Sequence, residues 1–201
     1  LSLHDALPIS LVSMFSLFIS AQTTTWKNDP AHSRLGFVVK HLTISEIEGY
    51  FSDFNAEVVT SKADYSDMKI KVTAKIASIN TGVEMRDNHL KSADFFDAEK
   101  YPEMVFNSTK VLKLPLKGAK QTTQYGKIYG TLTFHGITKP IVLDVKYYGK
   151  VVNPMNNNET AGFNVTGSVS RKDFDLGPTF PEAMVSDKVI INANLEFSPQ
   201  K

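Results

Sequence analysis

The stretch MKIKVTAKI (68–76) alternates apolar and cationic side chains without a break. Met68, Ile70, Val72, Ala74 and Ile76 fall on one side of an extended chain, and Lys69, Lys71, Thr73 and Lys75 on the other. A period of two marks a β-strand with one face buried and the other in water. On a helix the same spacing would scatter the lysines around every face.

The pattern recurs along the chain. LGFVVKH sets Leu35, Phe37, Val39 and His41 against Gly36, Val38 and Lys40. KIYGTLTFHG aligns Ile128, Leu132 and Phe134, and PIVLDVKYYG aligns Ile141, Leu143, Val145 and Tyr147. GFNVTGSVS aligns Phe163, Val165 and Val169, and VIINANLEF aligns Val189, Ile191, Ala193, Leu195 and Phe197. With VFNSTKVL and a strand over 51–59, about eight strands are expected, separated by turn clusters such as HGITKP and YGKVVNPMNNNET. Successive antiparallel strands of this kind close into a barrel, which removes the exposed edges. The expected fold is all-β, an antiparallel lipocalin-like barrel with an interior wide enough for packed side chains or one slender ligand.

Residues 80–100 depart from the alternation. Asp87 and Lys91 form an i,i+4 acid-to-base pair suited to a helix surface, so a short helical segment is expected over 82–98. Pro102 holds Tyr101 extended and ends it. Within this segment RDNHLKSADFF places Arg86 and His89 on one helical face, next to Phe95 and Phe96. A helix carrying these residues across a barrel mouth would set a polar head site beside an apolar tunnel. A helix that only plugs the barrel predicts the same residues.

At 201 residues and 42% hydrophobic content, the chain can bury the core of one domain. No linker, low-complexity block or internal repeat divides it after Trp26. The first residues, LSLHDALPIS (1–10), match the translation of a common sequencing adapter and are read as an artefact. The apolar block that follows and closes on Ala21 reads as the remnant of a signal peptide (11–21), which leaves 22–201 as the folded domain, periplasmic or secreted.

The same composition narrows the chemistry. With no cysteine, disulfides, thiolate nucleophiles and Cys-ligated zinc are excluded. Lys plus Arg number 22 against 21 for Asp plus Glu, and they are scattered, which argues against nucleic acid. The apolar block is too short for stable insertion across a bilayer. The five histidines (4, 32, 41, 89 and 135) form no HExxH or His-x-His pattern, so no metal and no cofactor is expected. His32 and His41 are an odd number apart and would face opposite sides of one strand. There is no GxSxG, and the SxxK match Ser66 to Lys69 leads into the solvated lysine row.

Six separated stretches carry a family resemblance. They are WKNDPAHSRLGFVVKH (26–41), GYFSDFNAEV (49–58), INTGVEMRDNHLKSADFFDAEKYPEMVF (79–106), YGTLTFHGITKPIVLDV (129–145), SRKDF (170–174) and VSDKVII (185–191). From Trp26 almost to the C-terminus the chain resembles the YceI-like, polyisoprenoid-binding, lipocalin-like proteins. The resemblance implies an exported bacterial β-barrel with a long amphiphile in its lumen, and no catalytic activity. One departure is visible: the family usually continues its SR-x-DF motif with glycine, where this chain has Asp175.

On this reading the tunnel is lined by Phe37, Val39, His41, Phe51, Ile70, Val72, Phe95, Phe96, Phe106, Leu132, Phe134, Leu143, Val145 and Phe163, with Arg86 and His89 at the rim. The partner is an isoprenoid or acyl lipid. Each buried CH₂ contributes about 0.8 kcal/mol, so the chain of such a ligand supplies affinity without strong polar contacts. A pyrophosphate head would need several converging cations, whereas Arg86 and Lys91 alone suit a neutral or singly charged head. Two rivals stay open. One is an enzyme using His89 or His41 as general base near Asp87. The other is a stress or interaction protein whose barrel is filled by its own phenylalanines. Alternation does not decide between tunnel and packed core, and a homodimer also stays open.

Overall fold

The computed structural model describes residues 23–62, 67–114 and 124–200. The adapter and signal segments expected over 1–10 and 11–21 lie outside these residues. The strands in chain order are β1 (Thr24–Asn28), β2 (Arg34–His41), β3 (Ser45–Phe51), β4 (Phe54–Thr60), β5 (Lys69–Lys75) and β6 (Ile79–Asn80). After the helix α1 (Glu84–Lys91) come β7 (Glu103–Leu114), β8 (Gln124–Phe134), β9 (Ile137–Val152), β10 (Glu159–Ser170) and β11 (Lys188–Pro199).

All of them pair antiparallel in one sheet, in the order β1-β4-β5-β7-β8-β9-β10-β11, and β11 pairs back onto β1. Eight strands therefore close the barrel, the number the alternation predicts, with β1 in the ring and the expected strand over 35–41, β2, beside it. The other three strands extend one end of it. β11 pairs with β1 through residues 197–199 and with β2 through 190–194, and β3 and β6 follow beside β2.

The extra strands arise from interruptions. The expected strand over 51–59 is broken at Ser52 and Asp53, and a 3-10 turn, Ile76–Ser78, separates β5 from β6. A turn opened by Asp29, whose carboxylate accepts the Ala31 N–H (2.8 Å), separates β1 from β2. These breaks set β2, β3 and β6 apart from the closed ring, on the side of the larger cavity.

The pleat delivers the predicted faces. Lys69, Lys71 and Lys75 are exposed, and Ala74 is fully buried. Ala74, Phe106, Leu132, Leu143, Val165 and Ala193 belong to one core cluster under α1. Trp26, Ala56, Ala161 and Phe197 form a second cluster nearer the opposite end. Gly130 is required by close approach, because a Cβ there would lie 2.4 Å from the Phe106 ring. The β8–β9 hairpin turns on His135 and Gly136, both at positive φ (50° and 73°), the backbone that two-residue hairpins favour.

The helix is shorter than expected. It ends at Lys91, and residues 92–101 continue as hydrogen-bonded turns, with Phe95 N–H donating to Ser92 and Phe96 N–H to Leu90. Consecutive phenylalanines on a continuing helix would diverge by about 100°. The turns instead bury both rings, at a T-shaped centroid distance of 6.3 Å. The Asp87–Lys91 surface pair does not form, because Asp87 is buried and turned toward Thr81.

Candidate functional site

Most core positions of a barrel should be fully buried, yet Phe37, Val39, Ile70, Val72, Val145 and Phe163 retain accessible area although they point inward. That area faces an internal space. A cavity of about 500 Å³ occupies the wider half of the barrel, and a second of about 130 Å³ the narrower half. Both are bordered by Ile70, Ile128, Val165, Leu195 and Phe197, so the two adjoin across a waist that these side chains form. Among the described residues, the phenylalanines line this space and do not fill it.

Each tunnel residue expected from the sequence borders this space. Phe37, Val39, His41, Phe51, Val72, Phe95, Phe96, Phe106, Leu132, Phe134 and Leu143 line the larger cavity, Val145 and Phe163 the smaller, and Ile70 both. For the strand residues the reason is parity, since those that share the buried face must all look into the same lumen, while Phe95 and Phe96 reach it from the turns after α1. Phe96 stacks toward Phe134 (5.2 Å) and Phe163 toward Tyr147 (5.0 Å), so aromatic rings form much of the wall.

Polar groups gather at the wide end. Arg86 and His89 both border the larger cavity from α1. Thr81 links Arg86 to Asp87: its hydroxyl accepts from Arg86 Nε (2.7 Å) and donates to Asp87 Oδ1 (2.5 Å), while Arg86 Nη2 donates to the Thr81 carbonyl (2.7 Å). The Thr81 N–H also donates to Asp87 (2.9 Å). Arg86 is thus positioned by Thr81 and not by direct pairing with Asp87, Asp94 or Asp97. His89 lies 3.4 Å from Asp94 and packs edge-on to Phe95 and Phe180. Asp87 is occupied by Thr81, so the pairing that a His89 or His41 base would need is not assembled.

Sequence reasoning missed Arg171. It borders the larger cavity, is 3% exposed, and donates to the carbonyls of Leu176, Gly177, Phe180 and Val185. It thereby folds residues 172–187 over the wide end, bringing Leu176, Phe180 and Met184 into the wall. The motif SRKDF contained the arginine, but neighbouring residues in sequence carry no sign that its partners are main-chain carbonyls. Asp175 adopts the left-handed conformation (φ 53°) that the glycine usual at this position takes without cost.

His32 and His41 are not brought together. His32 sits in the exposed turn after β1, and His41 at the rim on β2. Among the described residues, the donors of Asp29, His32 and Glu196 come within 4.8 Å of one another, a grouping hidden by the sequence distance of Glu196. Turn hydrogen bonds account for it: Asp29 accepts from Ala31 and shares a 2.9 Å bond with His32. That bond holds His32 protonated to higher pH than usual and keeps Asp29 ionised to lower pH.

The comparisons with known proteins agree with this geometry. The chain is similar to the UPF0312 protein SA2479 of Staphylococcus aureus, at 34% identity over 174 residues, 87% of this chain and 94% of that one. It is also similar to the UPF0312 protein plu2095 of Photorhabdus laumondii, at 38% identity over 156 residues, 76% of this chain and 77% of that one. Among solved structures, the YCEI protein of Campylobacter jejuni superposes with a TM-score of 0.70 at 36% identity, covering 81% of this chain and 90% of that one. A polyisoprenoid-binding domain from Saccharophagus degradans shares the fold at 15% identity (TM-score 0.63; 87% and 98% covered). The model of the YceI-like domain matches residues 26–197, from within β1 to within β11, and the chain belongs to that family.

Proposed function

We propose that the barrel binds one long-chain amphiphilic lipid, of polyisoprenoid, isoprenoid-quinone or fatty-acyl type, and acts as a periplasmic carrier, store or sink. The observation that carries this reading is the apolar cavity of about 500 Å³ adjoined by a second across a waist. Its size falls in the range of small-molecule sites, about 300–1,000 Å³, and its lining of aliphatic and aromatic side chains suits a hydrocarbon chain. Polyisoprenoid binding in the name of the S. degradans domain supports the same class of ligand. Export rests on the apolar segment over 11–21 alone.

The head group sits at the wide end, where Arg86 keeps Nη1 without a hydrogen bond among the described residues. One guanidinium nitrogen, with its two N–H groups, suits a carbonyl, amide, carboxylate or quinone oxygen better than a pyrophosphate, which needs several converging cations.

Native mass spectrometry of protein purified without detergent, followed by organic extraction, tests the reading: one lipid per chain is expected. An empty protein that also rejects added isoprenoids and fatty acids would overturn it. If Arg86 reads the head, Arg86→Ala weakens binding of a headed lipid about tenfold or more and leaves a bare hydrocarbon unaffected, since a hydrogen bond to a charged group is worth about 1.5–3 kcal/mol. Equal loss for both ligands would assign Arg86 to packing.

A further inference from the structure

Large apolar side chains stand exposed around the mouth of the wider cavity. Leu42 and Ile44 form the tip of the β2–β3 hairpin, Val83 and Met85 open α1, and Met184 lies in the segment folded down by Arg171. Ile44 is 85% exposed and Met85 84%. The Leu42 N–H donates to the Met184 carbonyl (3.0 Å), and His41 bridges to Val185, so the tip and that segment are one surface. His89 packs on Phe180 and brings α1 to the same rim.

We propose that this rim is a membrane-docking surface: it inserts into a zwitterionic lipid bilayer and joins the acyl region to the tunnel, so that lipid enters and leaves there. The inference rests on the lipid-carrier reading above, and three observations bear on it. First, the exposed apolar residues are continuous with the lining, because Val39, His41, Ile47, Met184 and Val185 border the cavity themselves. A lipid chain leaving a bilayer at this rim would pass from exposed to lining apolar side chains, with Arg86 and His89 beside it for the head.

Second, the tip is held in an unfavourable backbone. Leu42 and Thr43 both have positive φ (51° and 62°), where a hairpin favours Asn-Gly and a β-branched residue is an outlier. The β8–β9 hairpin of this same barrel meets the requirement with His135 and Gly136. Strain kept at a loop tip, together with exposed Leu and Ile, points to use of those side chains. Third, the exposed charges near the rim carry both signs, Lys40 and Lys188 against Glu46, Glu84 and Glu182. Attraction to anionic lipid is therefore not the driving force, and apolar insertion is.

A second apolar group, Tyr148, Val151, Val152 and Met155, is exposed at the opposite end, on β9 and the turn after it. It supplies the internal comparison. Trp26 is the single tryptophan and is buried, so Ile44→Trp and Met155→Trp each add one exposed reporter to the full chain. With phosphatidylcholine vesicles whose acyl chains are brominated, insertion of the rim about 5–10 Å into the boundary quenches the Ile44→Trp signal about twofold and leaves Met155→Trp unchanged. Quenching at both ends or at neither overturns the proposal.

The second arm uses Leu42→Ser with Ile44→Glu, two exposed positions whose change spares the core. Transfer of cis-parinaric acid from this variant to vesicles should slow about tenfold, since charge at the tip opposes insertion. Its binding of the same fatty acid in vesicle-free solution should equal that of the unsubstituted protein. Unchanged transfer overturns the proposal. If the unsubstituted protein fails to bind the fatty acid in solution while the tip is still quenched, the carrier reading falls and docking stands. If sedimentation shows a dimer that the double variant abolishes, a second copy covers the rim and docking falls.

Discussion

Arg171 spends both of its terminal nitrogens on four main-chain carbonyls, and no carboxylate among the described residues pairs with it. Ala or Met at this position would leave those carbonyls buried without donors, and each such group costs about 1–3 kcal/mol. Arg171→Met is therefore expected to lower the unfolding free energy by about 3–5 kcal/mol, read by urea denaturation. Arg171→Lys should recover only part, because an ammonium cannot span the fork. A loss under about 1 kcal/mol for Arg171→Met would show that the segment folds without its staple. The residue types expected at the site were legible because lumen positions follow strand parity. Arg171 and Thr81 were not, because a partner that is a carbonyl or a hydroxyl leaves no pattern in the sequence.

At the scale of elements, the breaks in the long strands are what separate eleven strands from eight. Turn chemistry holds them, and a separate turn, between β4 and β5, is sensitive to acid. Asp67, leading into β5, accepts hydrogen bonds from Ser61 Oγ (2.5 Å), Thr60 Oγ1 (2.6 Å) and the N–H groups of Ser61 and Lys62. These donors, the Ser61 hydroxyl first, hold its carboxyl well below the ordinary value of 3.8. Because the folded form binds its proton less tightly than the unfolded chain, the stabilisation is complete above that value and is lost progressively as pH falls from it through the lower value of the folded form. Asp67→Asn should flatten the dependence of the melting temperature on acid below about pH 4, with little change of slope above about pH 5. An unaltered acid slope would place the proton uptake elsewhere. The helix was legible only in part: charge spacing located it, but the turns after Lys91 follow from the need to bury Phe95 and Phe96 together.

For the whole molecule, the waist makes the length of the tunnel depend on a few side chains. Val165 borders both cavities, so Val165→Phe should close the passage while filling space that is empty. Binding of a chain that fits the larger cavity should persist, and binding of chains long enough to enter the smaller one should fall about tenfold, as the methylenes below the waist lose burial at about 0.8 kcal/mol each. Isothermal titration with a series of fatty acids or prenyl alcohols of increasing length reads this directly. Equal weakening for all lengths would mean that the ligand lies elsewhere, and no weakening for any would remove the waist as a selector.

The sequence by itself determined the class of fold, its closure and the inward face of each strand, because a period of two fixes which side chains share a surface and about eight such strands bury their edges only by closing. It also carried the family motifs. Whether that surface surrounds a packed core or an open lumen was decided only in three dimensions. Both demand apolar residues at the same parity, and the difference lies in barrel radius, in the strand breaks that widen one end, and in Arg171, which folds a distant segment over the mouth through carbonyls that no sequence pattern records.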